Sequence, residues 1–420
     1  MSTISMIVWN DFLNDARVLK EAQTLQAAGH QVVVHALHAP GKTLERETLA
    51  SGIKVVRVAR SPFWQFRKRQ TVDPDATEEA AEPVVSVQAA PRRLIGQLLS
   101  ISARTWAHIV LTYQLVRSRP SVIHAHDVNV LPTAWLAAAL SRVPLVYDAH
   151  EISTDREGYA AFKGLVAWFE RRIMPRAAGT ITTTDARARF FARAYGVERP
   201  VVLQNRPRLT AVARNDRIRQ ELGLSQPWPI VLYQGGIQQG RGLTRLVEAA
   251  VSVPAAYFVF IGGGRQEREL HQLRETLGLE DRVHFIPTVA LSELPHYTAS
   301  ADIGVQPIEN TCLNHFTTDS NKLFEYVIAG LPVVASDMPE IRKVVRQHEL
   351  GLLIAPGNTK VLADAIRALA NDPSKRAMFA ENARAAAQTL NWEDQEHLLI
   401  SLYRRIFDQQ GNKSAKKDIA

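Results

Sequence analysis

Two short segments bring titratable side chains to the ends of apolar runs. They read Val122-Ile-His-Ala-His-Asp-Val-Asn and Leu145-Val-Tyr-Asp-Ala-His-Glu-Ile. In a parallel α/β sheet, ligands meet the carboxyl ends of the strands. His126, Asp127, His150 and Glu151 are therefore the candidate catalytic groups. Their chemistry would be hydrogen bonding to a reacting group, or stabilisation of charge developing on a leaving group. His124 lies inside its run and has the place of a buried structural histidine. A His-x-His-Asp run also invites a metal reading. Here the two histidines are expected on opposite faces of the strand, and no metal ligands are assigned.

Phosphate chemistry calls for cations, free backbone amides and glycines that let the backbone come close. Three later segments have this character. The first, Tyr233-Gln-Gly-Gly-Ile-Gln-Gln-Gly-Arg-Gly-Leu, holds Gly235 and Gly236, with Arg241 at a helix start. Arg241 could pair with a diphosphate through its planar fork, although a surface arginine in a turn has the same local signature. The second, Phe260-Ile-Gly-Gly-Gly-Arg, contains Gly263. Glu267 occupies the last glycine position of a dinucleotide fingerprint, which weakens a nicotinamide reading. The third runs from Thr317 through Asp319, Ser320, Asn321, Lys322 and Leu323 to Glu325. Asp319 or Ser320 can cap a helix whose first amides face an anion. Glu325 could accept hydrogen bonds from two neighbouring hydroxyls, as a ribose offers, or be merely exposed.

Taken in order, these segments resemble the GT-B glycosyltransferases of group 1, also called family four. The likeness is carried over 229–345 by the glycine turns, Val283-His-Phe-Ile-Pro, Ala301-Asp-Ile-Gly-Val-Gln-Pro and Lys322-Leu-Phe-Glu-Tyr-Val-Ile-Ala-Gly-Leu-Pro. It implies a nucleoside-diphosphate sugar as donor and a retaining transfer with no metal and no cofactor. Glu325 then matches the ribose ligand, amides near Ser320 and Asn321 the diphosphate turn, and Arg241 its basic partner. Backbone at Phe285, Ile286 and Pro287 matches the nucleobase slot, and His126 a histidine near the transferred sugar. The implied donor site thus takes in Gly235, Gly236, Arg241, Gly263, Phe285, Ile286, Pro287, Asp319, Ser320, Asn321, Lys322, Leu323 and Glu325. Two positions depart from the family pattern. Thr317 stands where a first glutamate belongs, and Gly236 replaces an arginine. Glu309, Asp319 or Lys322 are the candidates to compensate. The loop with Asn10, Asp11, Asp15 and Arg17 falls on the acceptor side, although Asp15 and Arg17 also read as a helix start.

Positioning these groups requires two α/β halves. Strand-like runs are expected at 4–9, 31–36, 53–58, 121–125, 144–148, 179–183 and 201–204. A second set falls at 230–234, 257–261, 282–285, 302–306, 332–335 and 352–354. Helical patterns separate them, as parallel sheets covered on both faces demand. The expected organisation is a Rossmann-like acceptor domain over 1–206 and a Rossmann-like donor domain over 207–390. A helix at 391–410 returns to the first domain, followed by a disordered tail at 411–420. Residues 68–91 read as a mobile loop.

The chain has 420 residues and a net charge of +8. The first 200 residues carry 25 Lys/Arg against 18 Asp/Glu, and the rest 25 against 24, so the excess lies in the first half. An anionic partner is expected there. The aromatic and cationic run at 60–69, with Arg92 and Arg93, points to an anionic membrane surface. No nucleic-acid module supports the other anionic partner. One cysteine, Cys312, excludes an intrachain disulfide and fits a reducing compartment. No signal peptide or spanning stretch is visible; 94–116 comes nearest. The resulting expectation is transfer from a UDP- or GDP-sugar to a lipid-linked or saccharide acceptor in cell-envelope polysaccharide synthesis. Its place would be the cytoplasm, at the inner face of the plasma membrane. A GT-B sugar-nucleotide epimerase and a degenerate nucleotide- or carbohydrate-binding module are the alternatives.

Overall fold

The computed structural model describes residues 2–61, 94–156 and 162–417. The loop at 68–91 and the cation–aromatic run beyond Ser61, with Arg92 and Arg93, lie outside them. The first half contains strands β1 (Thr3–Ile7), β2 (Gln31–Leu37), β3 (Arg46–Thr48), β4 (Lys54–Val58), β5 (Val122–His126), β6 (Leu145–Ala149), β7 (Gly179–Thr182) and β8 (Val201–Val202). Between them run α1 (Ala16–Ala27), α2 (Leu94–Arg117), α3 (Leu131–Ser141), α4 (Lys163–Ile173) and α5 (Asp185–Tyr195). The sheet order is β3-β4-β2-β1-β5-β6-β7-β8, parallel except at β3. That three-residue edge strand is polar and pairs antiparallel with β4. Its Arg-Glu-Thr sequence has no apolar alternation by which it could have been anticipated.

The second half opens with α6 (Arg217–Leu222) and builds β9 (Ile230–Gln234), β10 (Tyr257–Ile261), β11 (Val283–Ile286), β12 (Ile303–Gln306), β13 (Val333–Ser336) and β14 (Gly351–Ile354). Its other helices are α7 (Leu243–Val251), α8 (Glu267–Thr276), α9 (Leu294–Thr298), α10 (Leu313–Phe316), α11 (Asn321–Ile328), α12 (Pro339–Gln347), α13 (Thr359–Ala370), α14 (Pro373–Ala387) and α15 (Trp392–Lys417). The order β11-β10-β9-β12-β13-β14 reverses direction between β9 and β12. Such a reversal opens a crevice at the strand ends, where ligands bind. β9 is buried on both faces, as its unbroken Ile-Val-Leu-Tyr run requires.

α15 packs on the first sheet, with Trp392, Leu399, Leu402 and Tyr403 in the same core as Ile4 and Val146. The Trp392 indole donates to Thr24 Oγ1 at 2.8 Å. The helix runs to Lys417, so residues 411–417 are helical rather than the expected disordered tail. Gly411 weakens a helix but does not end it without a following breaker. Among the described residues no helix is long and apolar enough to cross a membrane.

Candidate donor and acceptor site

The donor side is built on the ends of β9 and β10. Gly235 has φ +114°, and a Cβ there would lie 2.9 Å from the Lys322 ammonium. Only glycine leaves that space, so the cation reaches the turn directly. Lys322 comes from the first turn of α11, and its Nζ lies 5.2 Å from the Tyr233 ring centroid. Burial, reinforced by the neighbouring Arg241 charge, pushes its pKa down to about 8. Lys322 thus reaches this glycine turn, and its ammonium feels both the Arg241 guanidinium and the Glu325 carboxylate. This is an arrangement that an incoming diphosphate would relieve.

Lys322 therefore puts a cation at the turn where Gly236 leaves the family's arginine missing. The Gly236 carbonyl accepts from the Tyr233 hydroxyl at 2.8 Å, which fixes the turn. Ser320 precedes α11 with φ +55° and ψ +133°, a strained conformation for a non-glycine residue. Asn321 is exposed at the helix start. Glu325 accepts from Gln234 Nε2 at 2.6 Å, and Gln234 Oε1 accepts from Thr298 Oγ1 at 2.9 Å. That relay holds the Glu325 carboxylate at the crevice.

Several expected donor ligands have other employment. Leu323 is fully buried in the core of the second domain, so its side chain cannot touch a donor. Asp319 is buried and accepts from Gln204 Nε2 at 2.7 Å; burial pushes its carboxyl up. Glu309 pairs with Arg245 at 2.7 Å. Both acids are thus engaged within the chain, and at Thr317, where the glutamate is absent, the hydroxyl donates to the Leu313 carbonyl. The Phe285 ring packs inward on Phe260 and His271, at 5.0 and 4.1 Å, and Ile286 is buried. Only backbone remains there for a base. Pro287 is exposed just beyond β11, and Gly263 follows β10 beside Thr288.

The acceptor side holds a buried charge network. Arg17 forks onto Asp148, with both nitrogen–oxygen distances 2.8 Å, and a third nitrogen donates to the Leu203 carbonyl. Asp148 also meets His126 Nδ1 at 3.3 Å and His150 Nε2 at 2.9 Å. Burial opposes its charge, but Arg17 and His150 outweigh that and hold Asp148 well below the carboxylate range. Glu21 lies beside it. Burial and the Asp148 charge hold Glu21 well above the usual value, against the pull of Arg17 at 3.2 Å. Burial likewise lowers His126 despite Asp148, whereas in His150 Asp148 overcomes burial and raises the pKa.

A carboxylate can only accept, so the neutral His126 ring carries its proton on Nδ1. Nε2 is left as an acceptor. His150, raised in pKa and 24% exposed, is the ring of the pair that can donate outward. His124 and His126 also lie on the same face of β5, with rings stacked 4.2 Å apart. Residues two apart on a strand share a face, so the expectation that they diverge fails. Glu21, His124, His126 and Asp148 could bring four ligand atoms within 4.8 Å of one another. Arg17 already pairs with Asp148 in a fork, and its charge would repel a second cation there.

Asp127 and Glu151 both pair with Arg156, the latter at 2.9 Å. Neither is a free nucleophile. Arg17 is 4% exposed and bound within the network, so it is not an acceptor ligand. Asn10 donates to Asp15 at 2.7 Å, Asp15 caps α1 through the Val18 amide, and Asp11 accepts from the Leu13 amide. These three side chains shape the loop.

Asp148, Glu21 and Gln234 were not singled out as site residues in the sequence. A signal existed for the first two. Asp148 interrupts an apolar strand, and α1 buries Arg17, Lys20, Glu21 and Thr24 at helical spacing.

Comparison with known proteins agrees with this geometry. The family model described as glycosyl transferases group 1 matches residues 214–386, and that of the glycosyl transferase 4-like domain matches 15–206. A D-inositol 3-phosphate glycosyltransferase of Xylanimonas cellulosilytica is 26% identical over 367 residues, 78% of this chain and 85% of that protein. A phosphatidyl-myo-inositol mannosyltransferase of Mycobacterium leprae is 25% identical, over 88% and 94%. Among solved structures, sucrose-phosphate synthase from Thermosynechococcus elongatus superposes with a TM-score of 0.76 at 19% identity, over 97% and 100%. Anabaena HepE in complex with UDP-glucose gives 0.70 at 20%, over 98% and 100%. The paired sheets, the cationic glycine turn and these matches converge, and the chain is an enzyme of the group 1 glycosyltransferases with the GT-B fold.

Proposed function

We propose that the chain moves a sugar, with retention and without a metal, from a UDP- or GDP-sugar to a lipid-linked or polysaccharide acceptor. The pathway is cell-envelope polysaccharide synthesis, carried out on the cytoplasmic side of the plasma membrane. The observation that carries the reading is Lys322 at the Gly235 turn, with Arg241 close enough to lower its pKa, beside the held Glu325. Two relatives add support. HepE was solved with UDP-glucose, and the M. leprae relative is named for transfer to a phosphatidyl-inositol. The acceptor class rests on analogy.

In this reading the cations hold the diphosphate as it leaves, which stabilises its charge. His150, whose side chain is 24% exposed, donates to the donor sugar, while the buried His126 holds Asp148 behind it. Asp127 and Glu151 are both engaged by Arg156, so the acceptor attacks on the face the diphosphate vacates and gives it the proton. The test is calorimetry with UDP and GDP on the parent and on Glu325→Ala. The variant should bind one nucleotide at least about tenfold more weakly, roughly 1.4 kcal/mol. Equal affinity in both proteins would remove the ribose assignment, and failure of the parent to bind either nucleotide would remove the donor class.

A further inference from the structure

We propose that the outer face of α2, α3 and α4 docks on an anionic lipid bilayer. α3 packs between the other two helices. Their inner faces, with Leu111, Ala134 and Ile173, fill the core of the first domain. The outward faces are not polar. Trp106 and Ile109 on α2, Trp135 and Leu136 on α3, and Leu165 and Trp168 on α4 are each more than two-fifths exposed. Three of the chain's seven tryptophans stand on this surface. A soluble monomer rarely leaves so many large apolar side chains together without a partner.

Charge names the partner. α2 and α3 contain no Asp or Glu, and α4 contains only Glu170. Glu170 is buried and accepts from Tyr147, Ser153 and Tyr195. The three helices therefore expose no carboxylate. Exposed cations collect at their ends instead, among them Arg142, Lys163, Arg171 and Arg172. A protein partner would ordinarily meet charges of both signs. Tryptophans and leucines amid cations alone match an interface of headgroup phosphates over hydrocarbon. This surface differs from the 60–69 run and is independent of the transfer reading.

The test is flotation of the full chain with vesicles of phosphatidylcholine alone, or of phosphatidylcholine with phosphatidylglycerol. The parent should float with the anionic vesicles at low salt, and about tenfold less on neutral vesicles or at high salt. The triple variant Trp106→Ser, Trp135→Ser, Trp168→Ser should lose at least about tenfold in partition. Arg171→Gln with Arg172→Gln should weaken only the salt-sensitive part. Thermal melting by circular dichroism checks that each variant is folded. Absence of the parent from anionic vesicles, or a folded triple variant that floats like the parent, overturns the proposal. So does a parent dimer that the triple variant dissociates while vesicles capture neither, because the occupant is then a second copy of the chain.

Discussion

Lys322 shows how one side chain links fold to ligand. Burial and Arg241 hold its pKa near 8 in the unliganded protein. A diphosphate beside it would restore the proton. The sign follows from linkage. The ammonium is fully present below about 8, so nucleotide affinity should be highest there and fall as pH rises, approaching tenfold per unit. Calorimetry across pH 7–9.5 in buffers of different ionisation enthalpy should show proton uptake on binding. Lys322→Met should bind at least about tenfold more weakly and lose that uptake. Asp148 makes a separate case. Its pKa is depressed in the fold, so its contribution is present above the unfolded value of about 4 and is lost as pH falls through the folded one. Asp148→Asn should cost about 3–5 kcal/mol near neutral pH, because Arg17 is left buried without its partner. The difference in melting temperature between parent and variant should shrink below pH 4. Lys322 and Glu325 could be proposed from the sequence because their motif is contiguous. The Arg17–Asp148 pair joins residues 131 apart. No local pattern reports such a pairing.

At the scale of the element, α11 is placed by an absence. Gly304 on β12 lies under Tyr326, and a Cβ there would come 2.4 Å from the ring. That space lets the Tyr326 hydroxyl reach the carbonyls of Leu232 and Val305 and fixes the helix over the sheet. Gly304→Ala should force the helix outward at about 1–3 kcal/mol. Because the same helix carries Lys322 and Glu325, UDP or GDP affinity should fall with stability, in calorimetry and thermal melting alike. The long apolar strands were readable for the same reason that this packing works. A strand buried on both faces, such as β9 or β10, must be apolar throughout, and its ends are sharp. The edge strand β3 answers only to the backbone of β4, so its composition carries no message. α15 extends past Gly411 for a related reason: Trp392 and Tyr403 anchor it, and no proline follows to break it.

Across the whole molecule, each of the four buried apolar clusters draws on one sheet and the helices covering it. The two halves meet through polar contacts instead. Asn314 of α10 is the centre of them. Its amide accepts from the Ile152 N–H at 2.8 Å and donates to the Ile152 carbonyl at 3.0 Å. Arg187 of α5 adds bonds to the Asn314 carbonyl and to Thr317 Oγ1, and holds the His150 carbonyl at 2.6 Å. Thr317, the position without a glutamate, therefore helps join the halves. Polar contacts exchange readily with water, so this closed arrangement is one that can open. Asn314→Ala leaves both Ile152 backbone groups without partners when closed, and opening hydrates them. The variant should favour the open form by about 1–2 kcal/mol, an order of magnitude in population. Small-angle scattering should then give a larger radius of gyration. The donor groups sit within the second half, so nucleotide Kd should stay constant while kcat falls, because His150 would no longer reach the donor. An unchanged radius with unchanged kcat would show that the halves are held together by something other than Asn314.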